Sequence, residues 1–462
     1  MTGYAWDTSF IQARLASDIW PAECVALNAE MQALRTAWDA LAVQKDGELV
    51  GLLESFLALD RHYERQQSIL DLARLMGVSV PETLLTAWDT QTDRLSELCG
   101  AFIEAVLQVP SSTWQTPALQ RYAAWVQSLA PMPFTLPDPV SKTLRRVGGE
   151  YVQHLHSQTP LTPEQGAEWL AQRVEIDSRA HNVPWSYALR CWDNGLPIEP
   201  FKPSGYTAAH RYFTDKVRAT GHVQLPLHRF RQDEADRINQ HRMSADEAIG
   251  WIEQATEHPT IKATMPQATH VIQQIVQEQR LQLNADDNTH PLCVDTPYGS
   301  YVQVYFDGSV FSLMSLAHEL GHAIHHAEHR HEKRASPDAA MPLPPLVCEQ
   351  RAIGFERQVI AALLDCAIPT TLRNSLTEYL TYQTIELGQR HAMLHAFEAD
   401  LYRLPRITAK SVSDLWLTHN RAFYGPSIHI DDTMAQDWCD VQHLFTAPFY
   451  LQLYVHVMMH HH

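Results

Sequence analysis

Two histidines four residues apart carry the strongest chemical signal in the chain. They are His318 and His322, in the segment AHELGH at 317–322. On a helix these positions lie one above the other, with Glu319 beside them and shifted around the surface. Two imidazoles on one face can ligate a metal ion, while the neighbouring carboxylate is placed to act as a base. The spacing therefore predicts a metal site, in preference to a solvated surface pair.

A third metal ligand must come from another segment, because a hydrolytic zinc site uses three protein ligands and leaves one position open for water. Glu349, in VCEQRAIGFERQ, is the candidate, 27 residues past His322 and beyond a proline-rich loop. Glu356 follows seven residues later on the same face. It could accept the free N–H of a ligand histidine, or simply pair with a neighbour. His325 shares the face of His322 and is either a further supporting residue or solvated. Glu319 is predicted to take a proton from the attacking water.

Hydrolysis of a peptide bond also requires hydrogen-bond donors for the oxyanion of the tetrahedral intermediate. The stretch HLFTAPFYLQLY supplies His443, Tyr450 and Tyr454. Aromatic residues in such a stretch more often belong to a core. They become candidate donors only if the fold returns this segment to the metal.

Composition restricts the protein class and its partners. Acidic residues number 53 against 35 basic ones, and the resulting formal charge of -18 argues against nucleic acid or an anionic membrane as the main partner. The seven scattered cysteines include no CxxC pair, so neither a disulfide framework nor a thiolate zinc site is indicated. The chain shows neither a signal peptide nor an apolar run long enough to span a bilayer. A soluble, cytoplasmic protein is predicted.

Apolar residues recur at helical spacing through most of the first 190 residues, as at Met31, Leu34, Trp38 and Leu41. A Pro/Gly-rich stretch at 194–205 marks a loop. We therefore predict an N-terminal helical lobe at 1–205 and a zinc-binding lobe at 206–462.

Local signals predict where individual elements begin. Threonine followed by proline indicates helix starts at Thr116 and Thr162. The β-branched and aromatic run YVQVYF, at 301–306, predicts a strand that ends at Asp307-Gly308. The helix with the AHELGH segment follows it.

Taken together, these stretches resemble the oligoendopeptidase F and thimet oligopeptidase family of zinc metallopeptidases over more than half of the chain. The similar stretches, in the family's order, are HRYFTDKVRATG (210–221), MSADEAIGWI (243–252), YVQVYFDGSVFSLMSLAHELGHAIH (301–325), CEQRAIGFE (348–356), RHAMLHAFEADLY (390–402), FYGPSI (423–428) and HLFTAPFYLQLY (443–454). The extended AHELGHAIH stretch, with the two downstream glutamates seven residues apart, is the most specific part.

The resemblance implies a mostly helical, two-lobed ellipsoid with an internal channel and a small β-sheet beside the zinc helix. It also implies roles for single residues. His318, His322 and Glu349 match the zinc ligands, Glu319 matches the catalytic carboxylate, and Glu356 matches an outer supporting residue. Tyr301 and Gln303 belong to a strand that matches an edge strand binding peptide by β-augmentation, and Asp307 and Gly308 match a turn bordering the cleft. His443, Tyr450 and Tyr454 match the segment that binds the substrate carbonyl.

Three departures from the family pattern concern substrate handling. Gln452 stands where the middle tyrosine of F-Y-x-Y-x-Y is expected, which leaves both Tyr450 and Tyr454 as candidate oxyanion donors. Tyr454 is narrowly preferred, and the Gln452 amide is a weaker alternative donor. The C-terminal tail is shorter than in the family. The stretch before the strand, NADDNTHPLCVDTPYG, lacks a basic residue that is common there.

The leading hypothesis is a Zn²⁺ endopeptidase acting on short, unfolded peptides. Two alternatives remain. One is a zinc-binding relative that binds peptides or regulates without peptidase activity. The other is a dedicated peptide or amide hydrolase of a biosynthetic pathway.

Overall fold

A computed structural model describes residues 4–16, 19–39, 46–128, 138–156, 160–177, 184–196, 205–284, 286, 290–335 and 343–460. Helices account for 74% of the structure and the strands are few and short, which confirms the predicted mostly helical class with a small β-sheet. None of the described helices combines a bilayer-spanning length with the apolar composition that a membrane segment requires.

The described helices follow one another along the whole chain. The first ten are α1 (Ser9–Ala16), α2 (Ile19–Asp39), α3 (Asp46–Leu75), α4 (Glu82–Leu107), α5 (Ala123–Ser128), α6 (Asp138–His156), α7 (Pro163–Asp177), α8 (Trp185–Asp193), α9 (Thr207–Ala219) and α10 (Leu227–Ile238). The next ten are α11 (Ala245–Thr256), α12 (Pro259–Thr264), α13 (Ala268–Gln277), α14 (Val310–Ala335), α15 (Pro345–Asp365), α16 (Thr370–Ile385), α17 (His391–Leu401), α18 (Ala409–Tyr424), α19 (His443–Thr446) and α20 (Gln452–His460). A π-helical turn, Glu386–Arg390, joins α16 to α17.

Local capping chemistry predicts one of two helix starts correctly. At α7, the Gln165 N–H donates to Thr162 Oγ1 at 3.3 Å, and the helix begins at Pro163 as predicted. At Thr116 the prediction is wrong. The N–H groups of Leu119 and Gln120 donate to the Thr116 carbonyl, and the chain forms only a turn before the 3₁₀ segment Gln120–Tyr122.

The strand predicted at 301–306 is present, but its place within the larger sheet differs from the prediction. Its strands are β2 (Leu281–Asn284), β3 (Leu292–Val294) and β4 (Tyr301–Tyr305), in the order β2-β4-β3. β4 is parallel to β2 and antiparallel to β3, so it is the central strand and the edge-strand expectation is wrong. Val302 and Gln303 are paired on both sides, which leaves no free edge at these two residues for an added peptide strand.

The chain forms two compact units, and each is assembled from separate segments. The first comprises Met1–Ala130, Ser244–Gly308 and Ser312–Leu343; the second comprises Pro131–Met243, Ser309–Phe311 and Pro344–His462. The division into lobes at 1–205 and 206–462 is a different partition and stays a prediction.

Aromatic side chains and leucines together form the core of the first unit. Phe56 stacks on Phe102 with ring centroids 4.1 Å apart, and Trp38 of the predicted helical face lies 5.3 Å from Phe102. Met31 and Leu34 of that face are buried, whereas Leu41 lies outside the described residues. Burial of these large apolar side chains contributes favourable free energy to the core.

The second unit has its own core, which spans segments far apart in sequence. Tyr151 of α6 stacks on Phe445 of α19 at 4.5 Å, and Phe397 of α17 meets Trp416 of α18 edge to face at 5.1 Å. A two-residue parallel pair, β1 (Leu225–Pro226) with β5 (Ile428–His429), completes it. This packing fixes α19 and the chain that follows it.

Candidate functional site

Helix α14 carries the AHELGH segment, and one face of this helix is apolar and fully buried. Leu316, Leu320 and Ile324 are 0% exposed, so the helix cannot rotate without losing their burial. On the other side, His318 and His322 are half-buried, with ring centroids 4.8 Å apart and planes at 86°. Glu319, which follows His318 in the sequence, is buried. The helical prediction from spacing places both imidazoles on one face, as observed.

Helix α15 positions Glu349 one turn after its start. The helix begins at Pro345, after Pro344. The N–H of Leu346 in its first turn donates to the Asn194 side-chain oxygen at 2.7 Å, which satisfies one of the unpaired N–H groups at this end. Glu349 itself is buried, and its Oε1 accepts a hydrogen bond from the Tyr450 hydroxyl at 2.7 Å. The carboxylate orientation is therefore set from α15 and from Tyr450 together.

The three residues predicted as metal ligands come together in the structure. One ligand atom from each of His318, His322 and Glu349 lies within 4.8 Å of the other two. A zinc ion bonds imidazole nitrogen and carboxylate oxygen at about 2.0 to 2.2 Å, and two imidazoles with one carboxylate are a known ligand set for hydrolytic zinc. The donor set and its separation fit zinc with one position left open.

His443 and Tyr450 lie side by side at the Glu349 carboxylate. Their rings stack with centroids 5.3 Å apart and planes at 22°. Burial raises the pKa of the Tyr450 phenol, and the nearby Glu349 carboxylate raises it further. Burial lowers the pKa of His443 to about 4, with a further contribution from His391. At neutral pH both side chains are uncharged, and both can donate hydrogen bonds.

The structure distinguishes Tyr450 from the two other candidates in its segment. Tyr454 packs its ring against His391 at 4.8 Å and against Tyr450 at 5.9 Å. Gln452 is 1% exposed, and its amide donates to Cys191 Sγ at 3.8 Å. Gln452 is thus engaged with α8, which removes it as an alternative donor beside Glu349.

Two predicted supporting residues are buried. Glu356 is 3% exposed and accepts a hydrogen bond from the Tyr379 hydroxyl at 2.7 Å. Burial and the Glu356 carboxylate together raise the Tyr379 pKa well above its usual range. His325 is buried on α14 with its ring 6.2 Å from that of His326. Their roles in orienting the ligands stay predictions.

The residues predicted to bind substrate occupy different environments. Tyr301 is 5% exposed and meets Trp6 edge to face at 6.3 Å, so its side chain belongs to the core of the first unit. Gln303 is half-buried and donates to the His290 carbonyl at 3.3 Å. Asp307 is exposed, and Gly308 has φ of +80°, a conformation that glycine adopts without strain. Of these side chains, Asp307 is the one open to solvent.

Sequence reasoning did not single out two residues beside the candidate donors. His391 follows the π-helical turn, and its Nδ1 bonds to the Glu386 carbonyl at 2.8 Å; burial lowers its pKa to about 4. Arg190 lies over the Tyr450 ring, 5.2 Å from its centroid. Such π-helical turns often occur at functional sites. Neither residue has a spacing that could have revealed it, because both come from distant segments.

The second unit also contains a cavity of about 300 Å³ with aromatic and charged walls. Its lining comprises Tyr212, Phe213, Phe230, Arg231, Glu234, Ala235, Phe311, Tyr382, Ile385, Glu386, Arg390, Phe423 and Tyr424. Burial raises the pKa of Glu234 to about 7 and also raises that of Glu386. Arg390 is held by Asn420 at 2.7 Å and lies over three aromatic rings.

This architecture, mostly helical with small sheets, is the fold of a group of peptidases. It is similar to PZ peptidase A solved with an inhibitor, with a TM-score of 0.63 and 13% identity over 94% of this chain and 86% of that one. A Chlamydophila abortus protein named as a peptidase aligns with a TM-score of 0.58 and 13% identity, over 98% of this chain and 86% of that one. A Bacillus anthracis protein named as an oligoendopeptidase F aligns with a TM-score of 0.58 and 12% identity, over 94% and 84%. The sequence matches no protein-family model and no curated protein.

Proposed function

We propose that this protein is a zinc-dependent peptidase that hydrolyses internal bonds of short, unfolded peptides. The observation that carries the proposal is the group of His318, His322 and Glu349, with ligand atoms within 4.8 Å of one another on a peptidase-type fold. All seven cysteines lie in the described part of the chain and none forms a disulfide, which supports a reducing compartment such as the cytoplasm.

Zinc held by His318, His322 and Glu349 would supply Lewis acidity toward water and toward the scissile carbonyl. The remaining work falls to side chains of this protein. Glu319, adjacent in sequence to one ligand and buried, accepts the proton of the attacking water and can return it to the leaving amine. As a base it must be ionised when substrate binds.

Tyr450 and His443 are proposed to stabilise the oxyanion. Both are neutral donors whose hydrogens need not be released, because the phenol pKa is raised and the imidazole pKa is lowered. Preorganised neutral donors in a buried setting stabilise developing negative charge without reorganisation. Tyr450 is preferred over Tyr454 because its hydroxyl already lies at the Glu349 carboxylate.

A quenched-fluorescence peptide library, assayed together with bound-metal analysis, tests the proposal. We expect cleavage of several short peptides, loss of cleavage on zinc removal, and recovery on zinc addition. Stoichiometric zinc without cleavage of any peptide would support the binding or regulatory alternative instead. Cleavage restricted to one sequence would support a dedicated hydrolase.

Replacing Tyr450 with phenylalanine is expected to lower kcat by about 10² to 10³-fold with a smaller change in KM, the usual effect of removing one oxyanion donor. Tyr454→Phe and Gln452→Ala are matched controls and should stay within a few-fold of the parent, because Tyr454 packs on His391 and Gln452 faces Cys191. The measurement is steady-state kinetics on a cleaved peptide at saturating zinc.

The metal affinity of the same variants separates two roles of Tyr450. Removing an outer hydrogen-bond partner of a ligand commonly costs about 10 to 100-fold in metal affinity. If Tyr450→Phe binds zinc more weakly but has normal kcat at saturating zinc, Tyr450 only orients Glu349 and the oxyanion assignment is wrong.

A further inference from the structure

The chain between His443 and Tyr450, here named the donor segment (residues 443–450), is held by a buried ion pair. Arg173 of α7 and Glu398 of α17 are 0% and 1% exposed, with Nη2 and Oε1 3.2 Å apart. Arg173 Nη1 donates to the carbonyl of Leu444, the residue after His443. Glu398 Oε2 accepts the N–H of Phe449, the residue before Tyr450, at 2.9 Å. One ion pair therefore holds both ends of the donor segment.

The backbone at the second attachment point requires such a hold. Phe449 has φ of +58°, in the left-handed backbone region that residues other than glycine rarely adopt. Its ring is packed by Tyr187 at 5.1 Å, Tyr402 at 5.4 Å and His395 at 5.8 Å. A strained conformation persists only where its surroundings over-determine it, and this usually occurs at functional positions.

Stability alone does not account for the ion pair. Burying two charges costs more free energy than their attraction commonly returns, and apolar residues of similar volume are often as stable or more so. Burial also raises the pKa of Glu398 to about 7, although Arg173 and the Phe449 N–H both lower it. Asp177 is a second buried carboxylate on this network, and it accepts a hydrogen bond from Tyr402 at 2.5 Å.

We propose that Arg173 and Glu398 are positioning residues that fix the donor segment so that His443 and Tyr450 face the Glu349 carboxylate together. The inference rests on the proposed function for its catalytic consequence. The pair bonds the backbone of the donor segment at Leu444 and Phe449, so its effect on chemistry is through placement. A displacement of about 1 Å in a catalytic group can cost about 100-fold in rate.

The decisive variant replaces both charges at once, as Arg173→Met with Glu398→Leu. This change removes both charges of the pair together, and Asp177 keeps the hydrogen bonds that Tyr402 and Ser186 donate to it. The protein should therefore fold and bind zinc through the three candidate ligands on α14 and α15. We expect kcat to fall about 10 to 100-fold while KM changes less than about three-fold. The matched control is Lys216→Met with Glu378→Leu, an ion pair of the second unit between α9 and α16 that does not contact the donor segment. The control should keep the parent kcat.

The conservative variant Glu398→Gln provides a second test, because its amide oxygen can still accept the Phe449 N–H. It should recover most of the kcat lost in the double variant. If the double variant does not fold, Glu398→Gln is compared with Glu398→Leu, and equal parental kcat in both overturns the proposal. A folded double variant with parental kcat also overturns it.

Hydrogen exchange of the donor segment keeps this inference separate from the proposed function. If the parent protein cleaves no peptide, the proposed function fails, but the Phe449 amide should still exchange slowly. Exchange at residues 444–449 should become at least about ten-fold faster in the double variant and stay unchanged in the Lys216/Glu378 control. Equal exchange in both variants means that the ion pair does not hold the segment.

Discussion

Glu319→Gln is expected to keep zinc and to lose peptide turnover by about 10² to 10⁴-fold, the range typical of removing a general base. Glutamine preserves the shape and burial of Glu319 on α14 but cannot accept a proton at neutral pH. Because the side chain is adjacent to His318 without belonging to the three-ligand group, metal binding should not change. Turnover of a quenched peptide and zinc stoichiometry are measured on the same preparation.

A matched control for this variant lies on the same helix. Glu328→Gln, nine residues further along α14, removes an equal charge from a half-buried position and should leave turnover near the parent value. Near-normal turnover in Glu319→Gln would overturn the assigned base. Loss of zinc together with activity would instead make Glu319 part of the metal site.

Alanine at His318, His322 or Glu349 should lower zinc affinity by more than about 100-fold, beyond the effect of removing an outer partner. With only two protein ligands left, the site cannot complete the coordination that the group of three provides. His331→Ala removes an exposed histidine of the same helix and should retain zinc. Metal analysis after dialysis is the measurement, in protein lacking the three C-terminal histidines, since these could bind zinc independently.

A stability readout checks the same site without any enzyme assay. Zinc that binds only the folded state stabilises it by about 4 kcal/mol at a thousand-fold excess over Kd. The parent and His331→Ala should therefore show a higher Tm with zinc, while the three ligand variants should not. Full zinc retention and a normal Tm shift in His322→Ala would exclude the proposed site.

Short-range patterns were sufficient where one element decides the outcome. The four-residue spacing of the histidines, with leucine and isoleucine on the opposite face, determined a helix that presents both imidazoles together. The run YVQVYF gave a strand, and Thr162 gave a helix start. Glu349, the third candidate ligand, could also be singled out from the sequence, because it and Glu356 recur at helical spacing on α15.

Patterns of this kind could not decide which strands pair. YVQVYF was expected at a sheet edge, but β2 and β3 flank it on both sides. The composition of a strand reports how buried its faces are, whereas its neighbours depend on segments that arrive from elsewhere in the chain. Each compact unit is likewise built from chain segments that are far apart in sequence, so local patterns could not predict the division either.

The sequence by itself determined the chemistry available to this protein: two imidazoles and a carboxylate at one helix, a second carboxylate on the next, and tyrosines near the C-terminus. Only the tertiary structure decided which tyrosine meets Glu349. Helical spacing treats Tyr450 and Tyr454 as equivalent, but α20 begins at Gln452, and Tyr450 lies in the turn before it. The direction of that turn depends on the positive φ of Phe449 and on its bond to Glu398, 51 residues earlier. Side-chain direction in a turn is set by such long-range contacts, which no local periodicity records.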